Sequence, residues 1–289
     1  MALVCLLFRF PSVQAEPLHV HVVLSEAGGV YQEFGDALRA KLPADGFVLD
    51  VRRADETTED SGLYVAVGMK AASELAARDV PALDVLVPKA GYDKLPRAPG
   101  QRTRQRSAVF LDQPIERQVA LLRAVLPHTR NVGVLYASPP PELSNVRRLM
   151  ADRNMRMHDQ AVDERRSLND ALENVLNESE VLFVLPDAGV YNPGTIRNIL
   201  LTAYRKQVPL VGISQAYVKA GALCAVFTTP EQAAVQAAAM IQRYAESGRL
   251  PPAQYPSEFE VSVNMQVARS LELPVKDAGR LRDEIRRNP

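Results

Sequence analysis

Val181-Leu-Phe-Val-Leu-Pro-Asp187 and Val208-Pro-Leu-Val-Gly-Ile-Ser214, separated by a helical stretch, decide the fold of this chain. A parallel strand covered on both faces reads as a near-continuous apolar run, whereas a half-exposed strand alternates. Residues 181–185 and 208–213 are runs of the first kind, so they predict two buried strands joined by one right-handed crossover. In open α/β sheets, ligands bind beyond the carboxyl ends of the strands, and this places Asp187 and Ser214 at candidate ligand positions by topology alone. Pro186-Asp187 also suits a turn that starts a helix, so Asp187 reads either as a ligand contact or as a cap.

The same grammar extends in both directions. Residues 18–24 predict a strand, and 31–42 a helix with Phe34, Leu38 and Leu42 on one face. Strands over 47–51 and 63–67, an Ala-rich helix over 69–78, a strand end at 85–87 and a short strand at 107–111 complete a first doubly wound unit. The pattern then restarts with a helix at 115–126, a strand at 131–136, a helix at 142–154, a weak strand at 155–162 and a helix at 167–177. Ser167 and Asp170 fit the cap and N3 positions of that last helix. Helices at 195–206 and 231–247, a strand at 222–227 and a cleanly alternating strand at 258–263 follow. The expected architecture is α/β, with two Rossmann-like lobes built on parallel sheets. The expected division is a first lobe at 16–114 joined by part of 250–275, a second lobe at 115–249, and a solvated C-terminal tail at 276–289.

Thirty-four basic and 34 acidic residues cancel, so no net field draws the chain to nucleic acid or to an anionic membrane. Residues 1–15 resemble a secretory signal, with an apolar run at 3–8 and Val13 and Ala15 flanking Gln14. Cleavage after Ala15 and a periplasmic location are expected. No later apolar stretch approaches the ~20 residues that span a bilayer, so no membrane insertion is expected once the signal is removed. Cys5 leaves with that signal, and Cys224, flanked by Ala222-Leu223 and Ala225-Val226-Phe227, is expected to be inert core.

The catalytic motifs are missing. There is no phosphate-cradling Gly-rich loop ending in Lys-Ser/Thr, no Gly-x-Ser-x-Gly elbow and no Cys-x-x-Cys pair, and Ala27-Gly28-Gly29-Val30 lacks dinucleotide-fingerprint spacing. Neither an enzyme nor a cofactor is expected. His19 and His21 fall on one side of a strand without a nearby acidic or Cys partner, so no metal site is expected, and His128 and His158 read as surface or satisfied histidines. Lys94, Arg97, Arg102, Arg104 and Arg106 form a basic run without acids. It reads as a solvated loop or as a docking patch for an acidic surface.

The second half resembles the extracytoplasmic substrate-binding proteins of ABC transporters, in the tryptophan/tyrosine-binding-like group with the type I periplasmic-binding-protein fold. The resemblance rests on Leu121-Leu-Arg-Ala-Val-Leu-Pro127, Asn131-Val-Gly-Val-Leu-Tyr136, Leu185-Pro-Asp187, Val208-Pro-Leu-Val-Gly-Ile-Ser214, Gly221-Ala222 and Val263-Asn-Met-Gln-Val-Ala-Arg-Ser-Leu-Glu-Leu-Pro274, in order over residues 115–274. It implies a monomer that closes two lobes on an amino-acid-like small molecule and delivers it to ABC permease subunits. By the same resemblance, Asp187 faces the ligand's amino group and Ser214 completes the second-lobe half of the site. Ser25, Glu26, Gly68 and Met69 occupy the cleft-facing loops of the first lobe. The first half departs from the family pattern, with Val87-Pro-Lys-Ala-Gly-Tyr-Asp-Lys-Leu95 where an Asp-Pro turn is usual. The alternative is a periplasmic sensor or interaction subunit that keeps the fold without a transported ligand.

Overall fold

Val20, Val22, Val23 and Leu24 of strand β1 (Leu18–Leu24) are all buried, which requires layers on both faces of the strand. β1 sits inside a five-stranded, all-parallel sheet ordered β2 (Phe47–Arg53), β1, β3 (Leu63–Val67), β4 (Ala82–Val87), β5 (Arg106–Phe110). The computed structural model describes residues 16–56, 61–96, 105–163 and 167–287. The expected signal over 1–15, with Cys5 and the cleavage point after Ala15, lies outside the described residues, as do Arg97, Arg102 and Arg104.

One face of this sheet is covered by α1 (Gly29–Lys41), through Phe34 and Leu38, and the other by α2 (Met69–Ala76), through Ala71, Ala72 and Leu75. Each fully buried side chain of Leu or Phe size contributes about 1.5–3 kcal/mol. α3 (Lys89–Asp93) follows β4. In the described part of the β2–β3 connection the only helical element is a 3-10 turn, Ala54–Glu56. His19, His21, Asp50, Arg52 and Ser61 line a cavity of about 350 Å³ there.

The second sheet has six strands, ordered β11 (Glu260–Val263), β10 (Cys224–Phe227), β9 (Leu210–Gly212), β8 (Val181–Phe183), β6 (Asn131–Tyr136), β7 (Arg156–Ala161). β8 and β9 pair in parallel, Leu182 with Leu210, as their apolar runs predict. β11 alone is antiparallel. α4 (Ile115–Val125), α5 (Leu143–Ala151), α6 (Leu168–Asn177), α7 (Ile196–Arg205), α8 (Gln215–Ala220) and α10 (Met265–Ser270) belong to this lobe. Ser167 caps α6 by accepting from the Asp170 amide (3.2 Å).

Three placements differ from the sequence reading. α9 (Pro230–Ser247), expected in the second lobe, packs Ala233, Ala234, Ala237, Met240 and Ile241 onto the first sheet and α1. Its small side chains admit close approach of α1, and a Thr229–Gln232 capping box with Gly248 in the left-handed conformation fixes its ends. The strand near 260, expected to return to the first lobe, instead extends the second sheet as β11. The tail is also no fray: α11 (Ala278–Arg287) buries Leu281 and Ile285 against α4 and β11, because an i,i+4 apolar pair suffices to dock an otherwise charged helix.

The chain therefore passes between lobes three times, at 111–114, 228–229 and 248–259. The third passage touches the first sheet on the way: Phe110 donates its amide to the Gln254 carbonyl (3.0 Å), and Gln254 donates to Ala108 (2.9 Å).

Candidate functional site

The first two crossovers leave from the carboxyl ends of β5 and β10, so both sheets turn those ends toward a shared cleft beside the hinge. An ion pair across that cleft shows how near the loops come: Lys89, just after β4, has its Nζ 3.9 Å from Oε1 of Glu142, at the cap of α5.

The first-lobe wall is built around Gly68. Its φ of +88° is a conformation L side chains rarely adopt, and an added Cβ would lie 2.6 Å from Ser25 Oγ and 2.7 Å from the Tyr31 ring. That close approach lets the Ser25 hydroxyl, 5% exposed, accept the Ala71 amide at 3.0 Å and so cap α2 from the end of β1. Ser25, Gly68 and Tyr31 thus meet at one point. Met69 opens α2 with its thioether against Gly91 of α3, and Glu26 stands exposed on the β1–α1 loop.

Beside them the end of β4 is re-aimed. The register with β5 shifts between Val85 and Val87, and Leu86 carries φ of +56°, a bulge that turns the chain into Pro88-Lys89. The Lys89 amide donates to Asp112 Oδ2, and its Nζ to Asp93 Oδ2 (2.5 Å). Burial pushes the Asp112 carboxyl up from its ordinary range, and the Lys89 amide pulls part of the way back. Tyr255, from the third crossover, stacks edge-on against Phe110 (5.3 Å), which meets Tyr92 in the same manner (5.5 Å).

In the second lobe Asp187 is half-buried and both its oxygens accept backbone amides: Ala137 beyond β6 (2.7 Å) and Gly189 (2.8 Å). Its carboxylate therefore ties two strand-end loops together, the capping role that the Pro-Asp turn allowed. Each oxygen keeps a further lone pair beyond these bonds. Ser214 precedes α8 half-buried, and its hydroxyl makes no capping bond to that helix. Tyr217 lies over Gly212, where a Cβ would come within 2.6 Å of the Tyr217 Cβ.

The six residues chosen from sequence thus form two groups, Ser25, Glu26, Gly68 and Met69 on one lobe, Asp187 and Ser214 on the other. The structure adds Tyr31, Lys89, Asp112, Tyr217 and Tyr255 to the candidates beside these strand ends. Lys89 and Asp112 follow strand ends and were findable by the rule that found Asp187. Tyr255 comes from a crossover with no local signal.

Elsewhere, Arg106 does not belong to a docking loop. It is the first residue of β5 and forks onto Asp84, with Nε to Oδ2 at 2.7 Å and an Nη to Oδ1 at 2.8 Å, that Nη also donating to the Ala72 carbonyl (2.7 Å). Burial pushes the Asp84 carboxyl up to about 6 against the opposing pull of Arg106. His158 is satisfied by Glu178 (2.9 Å) and Asn131 (3.0 Å). Cys224 is wholly buried, and burial alone raises its thiol to about 12, far from thiolate chemistry at neutral pH. No helix among the described residues is long and apolar enough to cross a membrane.

A family profile described as "ABC transporter substrate binding protein" matches residues 109–278, more than half of the chain. No curated protein sequence matches it. Among solved structures, the ABC domain in complex with L-Trp from Streptococcus pneumonia is 16% identical (89% of this chain, 96% of that one) at a TM-score of 0.64. The ligand-free, open form of a substrate binding protein with adhesive properties from Clostridium difficile is 13% identical (90% and 96%) at 0.65. A periplasmic ribose ABC transporter protein from Conexibacter woesei is 15% identical (93% and 98%) at 0.54. At such identities the likeness shows the fold, two α/β lobes of the type I periplasmic-binding-protein kind.

Proposed function

The chain belongs to the ABC transporter substrate binding proteins, and from that premise we propose that it is the periplasmic, monomeric receptor of an importer, closing its lobes on an amino-acid-like solute for ABC permease subunits. The observation that carries the ligand class is Asp187, a carboxylate held rigidly by two backbone amides at a strand end of one lobe. On the other lobe, α2 begins at Gly68 and Met69. A fixed anion on one lobe and a helix N-terminus on the other suit a small zwitterion, with ammonium to Asp187 and carboxylate to α2. The hydroxyl of Ser214 and the rings of Tyr31 and Tyr217 supply the remaining wall. Closure follows from ligand contacts made only when both lobes engage. The family match favours this reading over a sensor or interaction subunit.

A thermal-shift screen of the full chain against free amino acids, short peptides, nucleobases, sugars and organic acids tests the proposal. A ligand at ~100 times its Kd adds ~2.7 kcal/mol, or several degrees at ~2–4 °C per kcal/mol. A shift with amino acids alone is expected. A shift confined to sugars or nucleobases would overturn the ligand class. Silence throughout, in protein freed of carried-over ligand, would overturn the receptor reading.

A further inference from the structure

The three crossovers are bonded to one another. Gln113 in the first donates from Nε2 to Thr228 Oγ1 in the second (2.8 Å), and that hydroxyl donates to the Glu258 carbonyl in the third (2.7 Å). Arg117 closes the circuit, one Nη donating to Gln113 Oε1 (2.7 Å) and to the Pro256 carbonyl (3.0 Å), with the guanidinium 4.4 Å above the Phe259 ring. Gln113 is 5% exposed, and Gln118 donates to its carbonyl at 3.2 Å. A buried amide is costly unless its hydrogen bonds are made, so Gln113 is confined to this geometry.

We infer that Gln113 and Thr228 are positioning residues of the hinge, whose relay to Glu258 makes the three crossovers pivot as one body and fixes the angle between the lobes before ligand arrives. Without such bonds the three crossovers can shift relative to one another, which widens the range of angles the lobes sample. Loss of one such bond shifts the balance between lobe arrangements about fivefold. Apparent affinity falls with the fraction of molecules in the binding-competent arrangement, so the relay also tunes ligand capture. The inference rests on hinge closure as proposed above, but it concerns the ligand-free chain.

Its test is an interlobe distance distribution by pulsed electron paramagnetic resonance on the full chain, stripped of ligand, in a Cys5→Ser background. Spin labels go on Val30→Cys and Ala216→Cys, both exposed and on opposite lobes, while buried Cys224 stays unlabelled. A single narrow distribution is expected for the parent and for Thr228→Ser, which keeps the hydroxyl. Thr228→Val, its isostere without the donor, should at least double the width or add a second population, and Gln113→Leu should do the same from the other end. Superimposable distributions for Thr228→Val and the parent would overturn the inference, and so would equal broadening in Thr228→Ser. If neither Thr228→Val nor Gln113→Leu folds, the relay is core and the inference falls. A cleft that binds no solute would sink the receptor reading and leave these distributions unchanged.

Discussion

Arg106→Met isolates the energetics of the first lobe's buried charge. Asp84 has no exposed surface, and Arg106 is its bidentate partner, itself 22% exposed at the side chain. Removing the guanidinium strands a carboxylate inside the sheet, which costs about 3–5 kcal/mol, a large part of a typical 5–15 kcal/mol stability. Replacing both groups, as Asp84→Leu with Arg106→Met, removes the charge together with its partner and should recover most of the loss. The pH dependence supplies a second check. The folded Asp84 carboxyl titrates at about 6 against an ordinary 3.8, so the native state binds its proton more tightly than the unfolded chain does. Its contribution is complete below about pH 3.8 and is lost as pH rises through about 6. The gap corresponds to about 3 kcal/mol at 1.36 kcal/mol per pH unit. Urea unfolding followed by circular dichroism between pH 4 and 7.5 measures both effects. Asp84→Asn should flatten that part of the profile. A loss under about 1 kcal/mol in Arg106→Met, or an unchanged slope in Asp84→Asn, would refute the assignment of a buried, mutually dependent pair.

Asp187→Ala should abolish amino-acid binding by calorimetry and also lower stability by about 1–3 kcal/mol, because the Ala137 and Gly189 amides lose their acceptor; an unshifted melt would remove its capping role. Leu281→Ala should cost about 2–5 kcal/mol if α11 is part of the second core, and a loss below about 0.5 kcal/mol would return it to the status of a tail. Gly68→Ala, forced against Ser25 and Tyr31 at φ of +88°, should lower the melting temperature by several degrees, and an unchanged melt would mean that the loop has room to spare.

The succession of strands along the chain and the lobe count were legible because doubly covered strands such as 181–185 and 208–213 leave a near-continuous apolar signature. The lobe assignment of α9 was not legible: an alanine face fits whichever helix or sheet approaches closely, and sequence proximity favoured the wrong one. α11 was hidden because two anchors, Leu281 and Ile285, sit among charges whose partners, Glu258 and Glu260, lie more than twenty residues earlier. Asp187 was located by the rule for strand ends, yet its bond to Ala137 spans fifty residues and could not be read locally. The same limit hid Tyr255.

The placement of α9 also bears on the order in which the chain can fold. Val20, Val22, Leu83 and Val85 face residues 233–241, which are synthesised only after the second lobe has been made as far as β10. Until then the first sheet has one unfinished apolar face, exposed for the time needed to make more than a hundred further residues. Nor is the second lobe complete without β11 and α11, the last elements of the chain. Neither lobe is therefore an autonomous early folding unit, and final consolidation waits on long-range contacts, which form slowly. A chain stopped near residue 228 would present sticky sheet surface to its neighbours, and aggregation of such truncations is the expected price of building each lobe from segments far apart in the chain.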